Sequence, residues 1–338
     1  MTTISKGKFQ GIENVADDTG IIRAAAMDQR GSLKKSLALE KDVSPEDITD
    51  EIMEEFKTTV IKVLSPYASG VLLDPEYGLK ASQFRHSEVG LLMAYEKSGY
   101  DNTQEGRIPL LLPNWTVRQS LEAGANCVKL LVYYSPFEDF SINEQKHVFV
   151  ERIGAECAFH DIPFFLEFVG YDSTGKLQGL DYARLKPEIV TESMREFSKD
   201  IYNVDVLKVE IPVDLKYTKG CQSFEGSEEA YSKNEAKELY LKAAQAARRP
   251  FIYLSAGVSD SQFRESLELA VESGVMFSGV LCGRATWKES IPVYASQGVT
   301  ALEDWLSERG VENIRSLNKI LTGAHSWKDF YGGELDIV

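Results

Sequence analysis

Eight short and nearly continuous apolar runs recur along the chain, each bounded by glycine, proline or aspartate. They are GIIRAAAMD (20–28), GVLLD (70–74), IPLLLP (108–113), CVKLLVYY (127–134), IPFFLEFVG (162–170), VDVLKVEIP (204–212), PFIYLSAG (250–257) and FSGVLCG (277–283). Runs of this kind are typical of parallel strands that are covered on both faces. The sequence therefore predicts eight strands of a parallel sheet that lies between layers of helices.

The segments between these runs have the apolar spacing of helices. In SPEDITDEIMEEFKTTVIKVL (44–64), Ser44 is in the position of an N-cap and Pro45 in the first helical position. Apolar side chains recur every four residues in this segment, which gives the helix one apolar face. Further helices are predicted over 116–126, 141–160, 191–201, 232–247 and 259–274, and over most of the chain after Gly283.

Eight strand–helix units follow one another without a linker, and this favours a (β/α)8 barrel, the TIM-barrel architecture of the α/β class. The main alternative is an open, doubly wound sheet, which would carry a glycine-rich phosphate turn after its first strand. The first run leads instead into AMDQRGS, which matches no such turn. We therefore predict a single barrel domain over 1–338, with a short N-terminal extension (about 1–19) and a helical C-terminal region (about 286–338).

The net charge of −15 and the isoelectric point of about 4.9 argue against nucleic acid and anionic membranes as partners. The N-terminal segment lacks the apolar core of a signal peptide, and no stretch is long and apolar enough to span a membrane. Four scattered cysteines without a CxxC pair fit the reducing cytoplasm. We therefore predict a cytoplasmic protein. The sequence leaves the oligomeric state open and is compatible with a homo-oligomer.

The four histidines show no HxH or HxxxH spacing, so the sequence predicts neither a metal site nor a cofactor. The acidic composition also constrains how the chain binds anions. Any phosphate of a ligand must be held by a few local basic groups and backbone N–H groups, because the surface as a whole repels it.

One of the most apolar runs, VDVLKVEIP, contains a lysine and a glutamate, which are seldom fully buried without a partner. Because successive strand residues point to opposite faces, Lys208 and Glu210 share one face with Val206. The other face is entirely aliphatic and should contact the helices. Lys208 is therefore predicted to point into the barrel, while the role of Glu210 is left open.

The same alternation directs three more charged residues into the barrel: Asp28 from the first run, Lys129 from the fourth and Glu167 from the fifth. With Lys208 they form a set of two acids and two bases whose formal charges cancel. A structural ion-pair network is one explanation, but buried ion pairs seldom repay the free energy of removing both charges from water. The set favours an active site at the C-terminal strand ends, where barrel enzymes have theirs.

These residue types suit carbon–carbon bond cleavage through an imine. A lysine amine attacks a carbonyl only when it is neutral, so the pKa of Lys208 must fall, and burial beside the Lys129 ammonium would lower it. Glu167 and Asp28 would carry protons, one for the water that leaves the carbinolamine and one for the hydroxyl that collapses during cleavage. The residues alone leave Lys129 open as the alternative nucleophile.

Small residues follow the last two runs, where barrel enzymes commonly bind a phosphate. Ser255 and Gly257 end the seventh run, and Gly283 and Arg284 lie at the end of the eighth. Backbone N–H groups of these loops and the Arg284 guanidinium could hold a phosphate. Small residues are also ordinary in turns, so the motif alone does not decide between the two explanations.

Seven ordered motifs give the chain a resemblance to a known family. They are AMDQRGSL, SGVLLDPEYG, AYEKSGYD, PFFLEF, DVLKVEIPV, IYLSAGVS and FSGVLCGRATW, from about Asp28 to Trp287. Together they resemble the class I tagatose 1,6-bisphosphate aldolases of bacterial lactose and galactose breakdown. The resemblance implies a (β/α)8 barrel and metal-independent cleavage of a ketose 1,6-bisphosphate to dihydroxyacetone phosphate and glyceraldehyde 3-phosphate.

The resemblance also implies roles for particular residues. The lysine of the LKVE motif, here Lys208, would form the Schiff base, and the strand 5 glutamate, here Glu167, would transfer protons. Asp28 and Lys129 would support them. The SAG and CGR loops would hold a phosphate through the four residues named for them above: Ser255, Gly257, Gly283 and Arg284.

Members of this family accept several hexulose stereoisomers, so fructose 1,6-bisphosphate is expected as a further substrate. Two alternatives stay open: a sulfosugar phosphate as substrate, and a regulatory protein that binds a sugar phosphate without turnover. Gln29 and Arg30 directly follow Asp28 and are predicted, by position alone, to bind a second anionic group. The sequence does not fix the preferred stereoisomer or the choice between phosphate and sulfonate.

Overall fold

Eight parallel strands close into a barrel in the computed structural model, which describes residues 2–101 and 103–338. In chain order they are β1 (Ile22–Ala26), β2 (Gly70–Leu73), β3 (Gly90–Ala94), β4 (Cys127–Tyr134), β5 (Phe164–Gly170), β6 (Val206–Val209), β7 (Phe251–Leu254) and β8 (Gly279–Cys282). Each strand pairs with the next, and β8 closes the barrel by pairing with β1, for example Leu281 with Ala24. The predicted (β/α)8 fold is confirmed.

Seven of the eight apolar runs contain a barrel strand, but the prediction for IPLLLP (108–113) is wrong. The third strand is GLLMA, in which Leu92 lies opposite Leu72 of β2 and Met93 opposite Val128 of β4. Segment 108–113 contains two prolines, and proline has no N–H to donate to a ladder, so the segment cannot be a central strand. It forms an isolated antiparallel bridge with the chain at Glu96 instead.

Helices connect the strands and cover the outside of the barrel. They are α1 (Lys6–Val15), α2 (Gly31–Lys41), α3 (Asp50–Leu64), α4 (Leu79–Ser82), α5 (Val117–Glu122), α6 (Phe140–Phe159), α7 (Gly179–Phe197), α8 (Lys233–Ala246), α9 (Asp260–Glu272), α10 (Arg284–Trp287), α11 (Ile291–Gln297), α12 (Val299–Trp305) and α13 (Val311–Ile320). The helix predicted from Ser44 begins later, because Pro45–Asp47 forms a separate 3-10 turn and Thr49 caps α3.

The lower half of the barrel interior is filled by apolar side chains that point inward from all eight strands. They include Ile22, Ala24, Leu72, Leu92, Cys127, Phe165, Val206, Ile252 and Leu281. Ile12 and Val15 of α1, together with Trp327, pack against this layer from below. The N-terminal extension therefore closes the bottom of the barrel, and in the described part of the chain the cavity opens at the C-terminal strand ends.

The two ends of the chain are joined on the closed side of the barrel. Strand Thr2–Ile4 pairs in parallel with Leu335–Ile337, an arrangement that the sequence did not predict. The Lys6 N–H also donates to the Val338 carbonyl over 2.8 Å. Among the described residues, no helix has both the length and the apolar character needed to cross a membrane.

We expect Gly90→Ala to destabilise the fold. A Cβ atom at position 90 would lie 2.1 Å from the Asn14 carbonyl oxygen, so α1 would have to move away from the barrel. Overpacking of this kind costs about 1–3 kcal/mol, measurable as a lower free energy of unfolding in urea. Gly226→Ala is the control, because a Cβ there meets its nearest atom at 3.4 Å. Wild-type stability of Gly90→Ala would show that α1 does not seal the barrel as described.

Candidate active site

Four charged side chains meet at the C-terminal mouth of the barrel. Asp28, Lys129, Glu167 and Lys208 line one cavity of about 330 Å³. The strand alternation places them there, since residues of the opposite parity, such as Leu207, pack in the apolar layer between the barrel and the helices. The charged set predicted from four separate strands therefore forms a single site.

Lys129 is the centre of this set. Its Nζ lies 2.9 Å from Asp28 Oδ2, 2.9 Å from Glu96 Oε1 and 2.8 Å from Glu167 Oε2. The side chain is fully buried. Burial alone would lower the pKa of Lys129, but the carboxylates outweigh it and raise the pKa well above its ordinary value. Lys129 is thus a permanent cation at the base of the cavity.

Two of its partners are held in the ionised form. Burial alone would raise the pKa of Asp28, but the ammonium groups of Lys129 and Lys208 bring it below its ordinary value. The same two cations lower the pKa of Glu167 against the effect of burial. Both carboxylates are therefore able to accept a proton at neutral pH.

Lys208 has a single ionic partner among the described residues. Its Nζ donates to Glu167 Oε2 over 2.8 Å, and the residue is 4% exposed where it faces the cavity. The strand register explains this, because Glu167 lies directly opposite Lys208 in the β5–β6 pair. On β4, Glu167 lies opposite Leu131, two residues beyond Lys129. Glu167 thus bridges both lysines, and Lys208 is the one nearer the opening.

Glu96 is a site residue that the sequence reasoning missed. It follows β3 by two residues and is 5% exposed, with Oε1 on Lys129 and Oε2 accepting the Leu131 backbone N–H over 2.9 Å. The wrong third strand caused the omission, because Glu96 then lies far from any strand end. The signal was present: a carboxylate stands two residues after the short apolar run GLLMA.

Arg30 lines the cavity, but its guanidinium is already bound by the protein. Nη1 donates to Glu76 Oε2 over 2.8 Å, and Nη2 donates to the Glu96 backbone carbonyl over 2.8 Å. Nη2 also lies 3.5 Å from Glu96 Oε1. That Arg30 binds a second anion stays a prediction, and these contacts favour a role in orienting Glu96 instead.

Gln29 lies on the side of the cavity where β8 ends. Its Nε2 donates to Asp28 Oδ1 over 3.1 Å and is 3.0 Å from the place where a Cβ on Gly283 would lie. Its Oε1 is buried and has no hydrogen-bond partner in the described part of the chain. Gln29 therefore connects Asp28 with the loop that follows β8.

A second buried ion pair supports the backbone that carries Asp28. Lys57 of α3 contacts Asp74, which follows β2, and donates to the Met27 carbonyl over 2.9 Å. Asp74 in turn accepts the Tyr77 backbone N–H over 2.9 Å. Because Met27 precedes Asp28, this pair fixes the end of β1 from outside the cavity.

The loops after β7 and β8 meet on one side of the cavity. The predicted phosphate-binding residues all line it there: Ser255, Gly257, Gly283 and Arg284. Gly257 has a left-handed φ of 79°, and a Cβ on it would lie 2.8 Å from the guanidinium carbon of Arg284. Glycine thus lets the guanidinium lie against the loop, which Lys288 holds by donating to the Gly257 carbonyl over 2.9 Å.

Glu210, whose role the sequence left open, also lines the cavity. Its Oε2 accepts the Gly170 backbone N–H over 2.7 Å, and its Oε1 lies 3.7 Å from Lys186 Nζ. Glu210 therefore ties the end of β6 to the end of β5 and to α7. These contacts give it a part in holding the strand ends together beside Lys208.

Sequence comparison places the chain among aldolases. The model of the DeoC/LacD aldolase family matches residues 22–289. The chain is 50% identical to tagatose 1,6-diphosphate aldolase 2 of Enterococcus faecalis, over 97% of each chain. It is 48% identical to a tagatose 1,6-diphosphate aldolase of Listeria monocytogenes, over 100% of this chain and 98% of that one.

Solved structures with the same architecture include two aldolases of low sequence identity. The fructose-bisphosphate aldolase of Plasmodium falciparum superposes with a TM-score of 0.68 at 12% identity, over 96% of this chain and 97% of that chain. A Schiff-base-forming fructose-1,6-bisphosphate aldolase superposes with a TM-score of 0.56 at 14% identity, over 92% and 98%. At these identities the structures support the barrel fold alone.

Lys129→Met should reverse the pH dependence that the site gives to stability. In the wild type, the pKa values of Asp28 and Glu167 are lower in the folded protein than their ordinary values near 4. Both groups therefore stabilise the fold fully at any pH above those ordinary values, and this contribution is lost as the pH falls through the lowered pKa values. Without Lys129, Asp28, Glu96 and Glu167 repel one another, so the variant should lose about 3–5 kcal/mol at pH 8 and recover part of it at pH 5.

Urea unfolding at the two pH values measures this difference. Lys208→Met is the control, because it leaves Lys129 paired with all three carboxylates. A Lys129→Met variant whose stability shows the same change as the wild type between pH 8 and pH 5 would contradict the description of Lys129 as the charge that holds the site together.

Proposed function

The chain belongs to the DeoC/LacD family of aldolases, and we propose that it cleaves D-tagatose 1,6-bisphosphate to dihydroxyacetone phosphate and glyceraldehyde 3-phosphate through a Schiff base on Lys208. Its likeness over almost the whole length to relatives named tagatose 1,6-diphosphate aldolase supports the substrate. The two lysines and the carboxylates at the mouth of the barrel support the imine chemistry.

The observation that carries the assignment is the unequal pairing of the two lysines. Lys129 is bound by three carboxylates and is fully buried, so its ammonium cannot lose a proton without leaving those carboxylates unpaired. Lys208 is bound by Glu167 alone and reaches the cavity. Lys208 is therefore the proposed nucleophile, and Lys129 the charge that keeps Asp28 and Glu167 ionised.

Imine formation follows from the contact between Lys208 and Glu167. Glu167 accepts a proton from Lys208 Nζ, 2.8 Å away, and the neutral amine attacks the C2 carbonyl of the open-chain sugar. The carbinolamine hydroxyl then takes the proton from Glu167 and leaves as water, which gives a protonated imine. Lys129 stabilises the glutamate charge before and after this transfer.

Cleavage uses the protonated imine as an electron sink. The C4 hydroxyl loses its proton as the C3–C4 bond breaks, and the bonding pair moves into the imine to form an enamine on Lys208. Asp28, ionised and 2.9 Å from Lys129, is the proposed base for that proton. Protonation of the enamine at C3 and hydrolysis of the imine then release dihydroxyacetone phosphate and restore the lysine.

The C1 phosphate is proposed to bind where the loops after β7 and β8 meet. The residues that supply this site are Ser255, Gly257, Gly283 and Arg284. The position suits the chemistry because β7 is the neighbour of β6, so C2 of the bound sugar lies near Lys208. Phosphate sites at this place are a recurrent feature of the barrel fold.

Fructose 1,6-bisphosphate is the proposed second substrate. It differs from the tagatose isomer in configuration at C4, the carbon whose hydroxyl must lose a proton. Asp28 and Glu167 both contact Lys129 and reach it from different strands, so two carboxylates are available to take the C4 proton. The same site would accept a sulfosugar phosphate if the residues that bind the C6 phosphate also accept a sulfonate. This remains the alternative substrate class.

A reducing compartment, the cytoplasm, is the proposed place of action. All four cysteines are free, and three of them are buried: Cys127, Cys157 and Cys282. Burial raises the pKa of the Cys282 thiol to about 12, so it stays protonated beside the phosphate loops. Thiols in this state serve as small apolar side chains of the core.

We expect sodium borohydride, added together with dihydroxyacetone phosphate, to attach a three-carbon unit covalently to Lys208. Peptide mapping by mass spectrometry identifies the labelled lysine. Lys208→Met should give no adduct and should lose activity by at least ~10³-fold, because no amine replaces the nucleophile. Wild-type cleavage should persist in the presence of a chelator.

The matched control is Lys216→Met, since that lysine is half-buried outside the cavity and its side chain forms a surface ion pair with Glu225. It should be labelled and active like the wild type. An adduct mapped to Lys129, or substantial turnover by Lys208→Met, would overturn the assignment of the nucleophile.

A further inference from the structure

Most cations around the cavity already have a partner. Lys129, Lys208 and Arg30 bind carboxylates, and Lys288 donates to backbone carbonyls. Within residues 2–101 and 103–338, Arg107 and Arg284 form no ion pair with a carboxylate. Arg284 belongs to the phosphate loops described above. Arg107 is a second guanidinium near the mouth whose charge the described protein leaves unneutralised.

Arg107 lies over the faces of three tyrosines. Its guanidinium carbon is 4.4 Å from the ring centre of Tyr171, 5.4 Å from that of Tyr100 and 5.5 Å from that of Tyr133. Tyr133 points inward from β4 and lines the cavity, whereas Tyr171 directly follows β5. Arg107 is therefore one side chain away from the substrate cavity, above the ends of β4 and β5.

The tyrosines are themselves fixed in place. Lys146 Nζ donates to the Tyr171 hydroxyl over 2.8 Å, and that hydroxyl lies 2.7 Å from Glu138 Oε2 and 3.0 Å from the Gly106 carbonyl. Tyr100 packs edge-on against Tyr133, with ring centres 5.0 Å apart. A cage of neutral rings orients a guanidinium and leaves its N–H edge able to bind an oxyanion.

The backbone of this loop is also held in an unusual conformation. Arg107 has a left-handed φ of 54°, which side-chain-bearing residues adopt at a cost and which is often found at functional sites. The preceding Gly106 has a φ of 80°, and a Cβ on it would lie 2.2 Å from Ile142 Cγ2. The loop is therefore packed into one arrangement, which directs Arg107 onto the tyrosines.

The positions of the strands around the barrel indicate which part of the substrate lies near Arg107. In a closed barrel of eight strands, β4 lies opposite β8. The C1 phosphate is proposed to bind at β7 and β8, C2 reacts with Lys208 on β6, and the cleaved bond is proposed to lie beside the ion pair of Glu167 on β5 and Lys129 on β4. The far end of the sugar then reaches the side where Arg107 lies.

Resting on the proposed cleavage of a 1,6-bisphosphate, we propose that Arg107 binds the C6 phosphate of the substrate, opposite Arg284 across the mouth. Its fork of N–H groups can donate two parallel hydrogen bonds to phosphate oxygens. Arg30, predicted from its position for a second anion, is less suited, because binding there requires its contacts with Glu76 and Glu96 to break. Arg107 has no such contact to lose.

The test compares two substrates, tagatose 1,6-bisphosphate and tagatose 1-phosphate, which lacks only the C6 phosphate. The preference is the ratio of their kcat/KM values. In Arg107→Met this ratio should fall by about 30- to 300-fold, because one charge-assisted phosphate contact is lost for the bisphosphate alone. Arg107→Lys keeps the charge without the fork and should show an intermediate ratio.

Two variants serve as controls. Arg315 lies on α13, outside the cavity, and its guanidinium carbon is 4.7 Å from the centre of the Tyr67 ring. Arg315→Met should keep the wild-type ratio. Arg284→Met should lower kcat/KM for both substrates, since both carry the C1 phosphate. The proposal is wrong if Arg107→Met lowers kcat/KM for both substrates by the same factor. It is also wrong if Arg30→Met abolishes the preference for the bisphosphate while Arg107→Met and Arg107→Lys retain it.

Failure of this proposal can be told apart from failure of the proposed function. Borohydride labelling with dihydroxyacetone phosphate involves a ligand with one phosphate and does not depend on the C6 site. Labelling of wild-type Lys208 with an unchanged ratio in Arg107→Met would contradict only the role of Arg107. A wild type that is neither labelled nor active on either substrate would contradict the aldolase mechanism, and the C6 phosphate site with it.

Discussion

The fully buried ammonium of Lys129 is the charge on which the site depends. It brings together carboxylates that reach it from three places in the chain: Asp28 after β1, Glu96 after β3 and Glu167 on β5. Burial alone would raise the pKa values of Asp28 and Glu167, but the ammonium groups of Lys129 and Lys208 lower both. Asp28 and Glu167, the carboxylates proposed to move protons, are therefore charged and oriented before a substrate enters.

The register of the strands places the two lysines differently with respect to Glu167. Lys129 and Lys208 lie on strands that flank β5, and Glu167 is level with Lys208 but two residues beyond Lys129. One carboxylate can therefore hold the deep lysine as a permanent cation and exchange a proton with the shallow one. A shift of β5 by one residue would turn Glu167 into the apolar layer, and its contacts with both lysines would be lost.

The strand alternation could be inferred from the sequence because its period of two is strict, so Lys208, Glu167 and Lys129 were directed inward correctly. Apolar composition alone could not distinguish GLLMA from IPLLLP. The backbone N–H groups lost at Pro109 and Pro113 decide between them, and that error concealed Glu96. The pairing of the two chain termini depends on contacts between distant residues, for which a local pattern contains no signal.

The two candidate sites for a second anion show a further limit of reasoning from position. Arg30 follows a site residue in the sequence and does line the cavity, but Glu76 and Glu96 already bind its guanidinium. Arg107 lies in a loop outside the motifs, yet its tyrosine partners orient it without neutralising its charge. Sequence position predicts that a cation is near a site. Whether that cation can bind a ligand depends on which groups of the folded protein already satisfy it, and only the three-dimensional contacts provide this information.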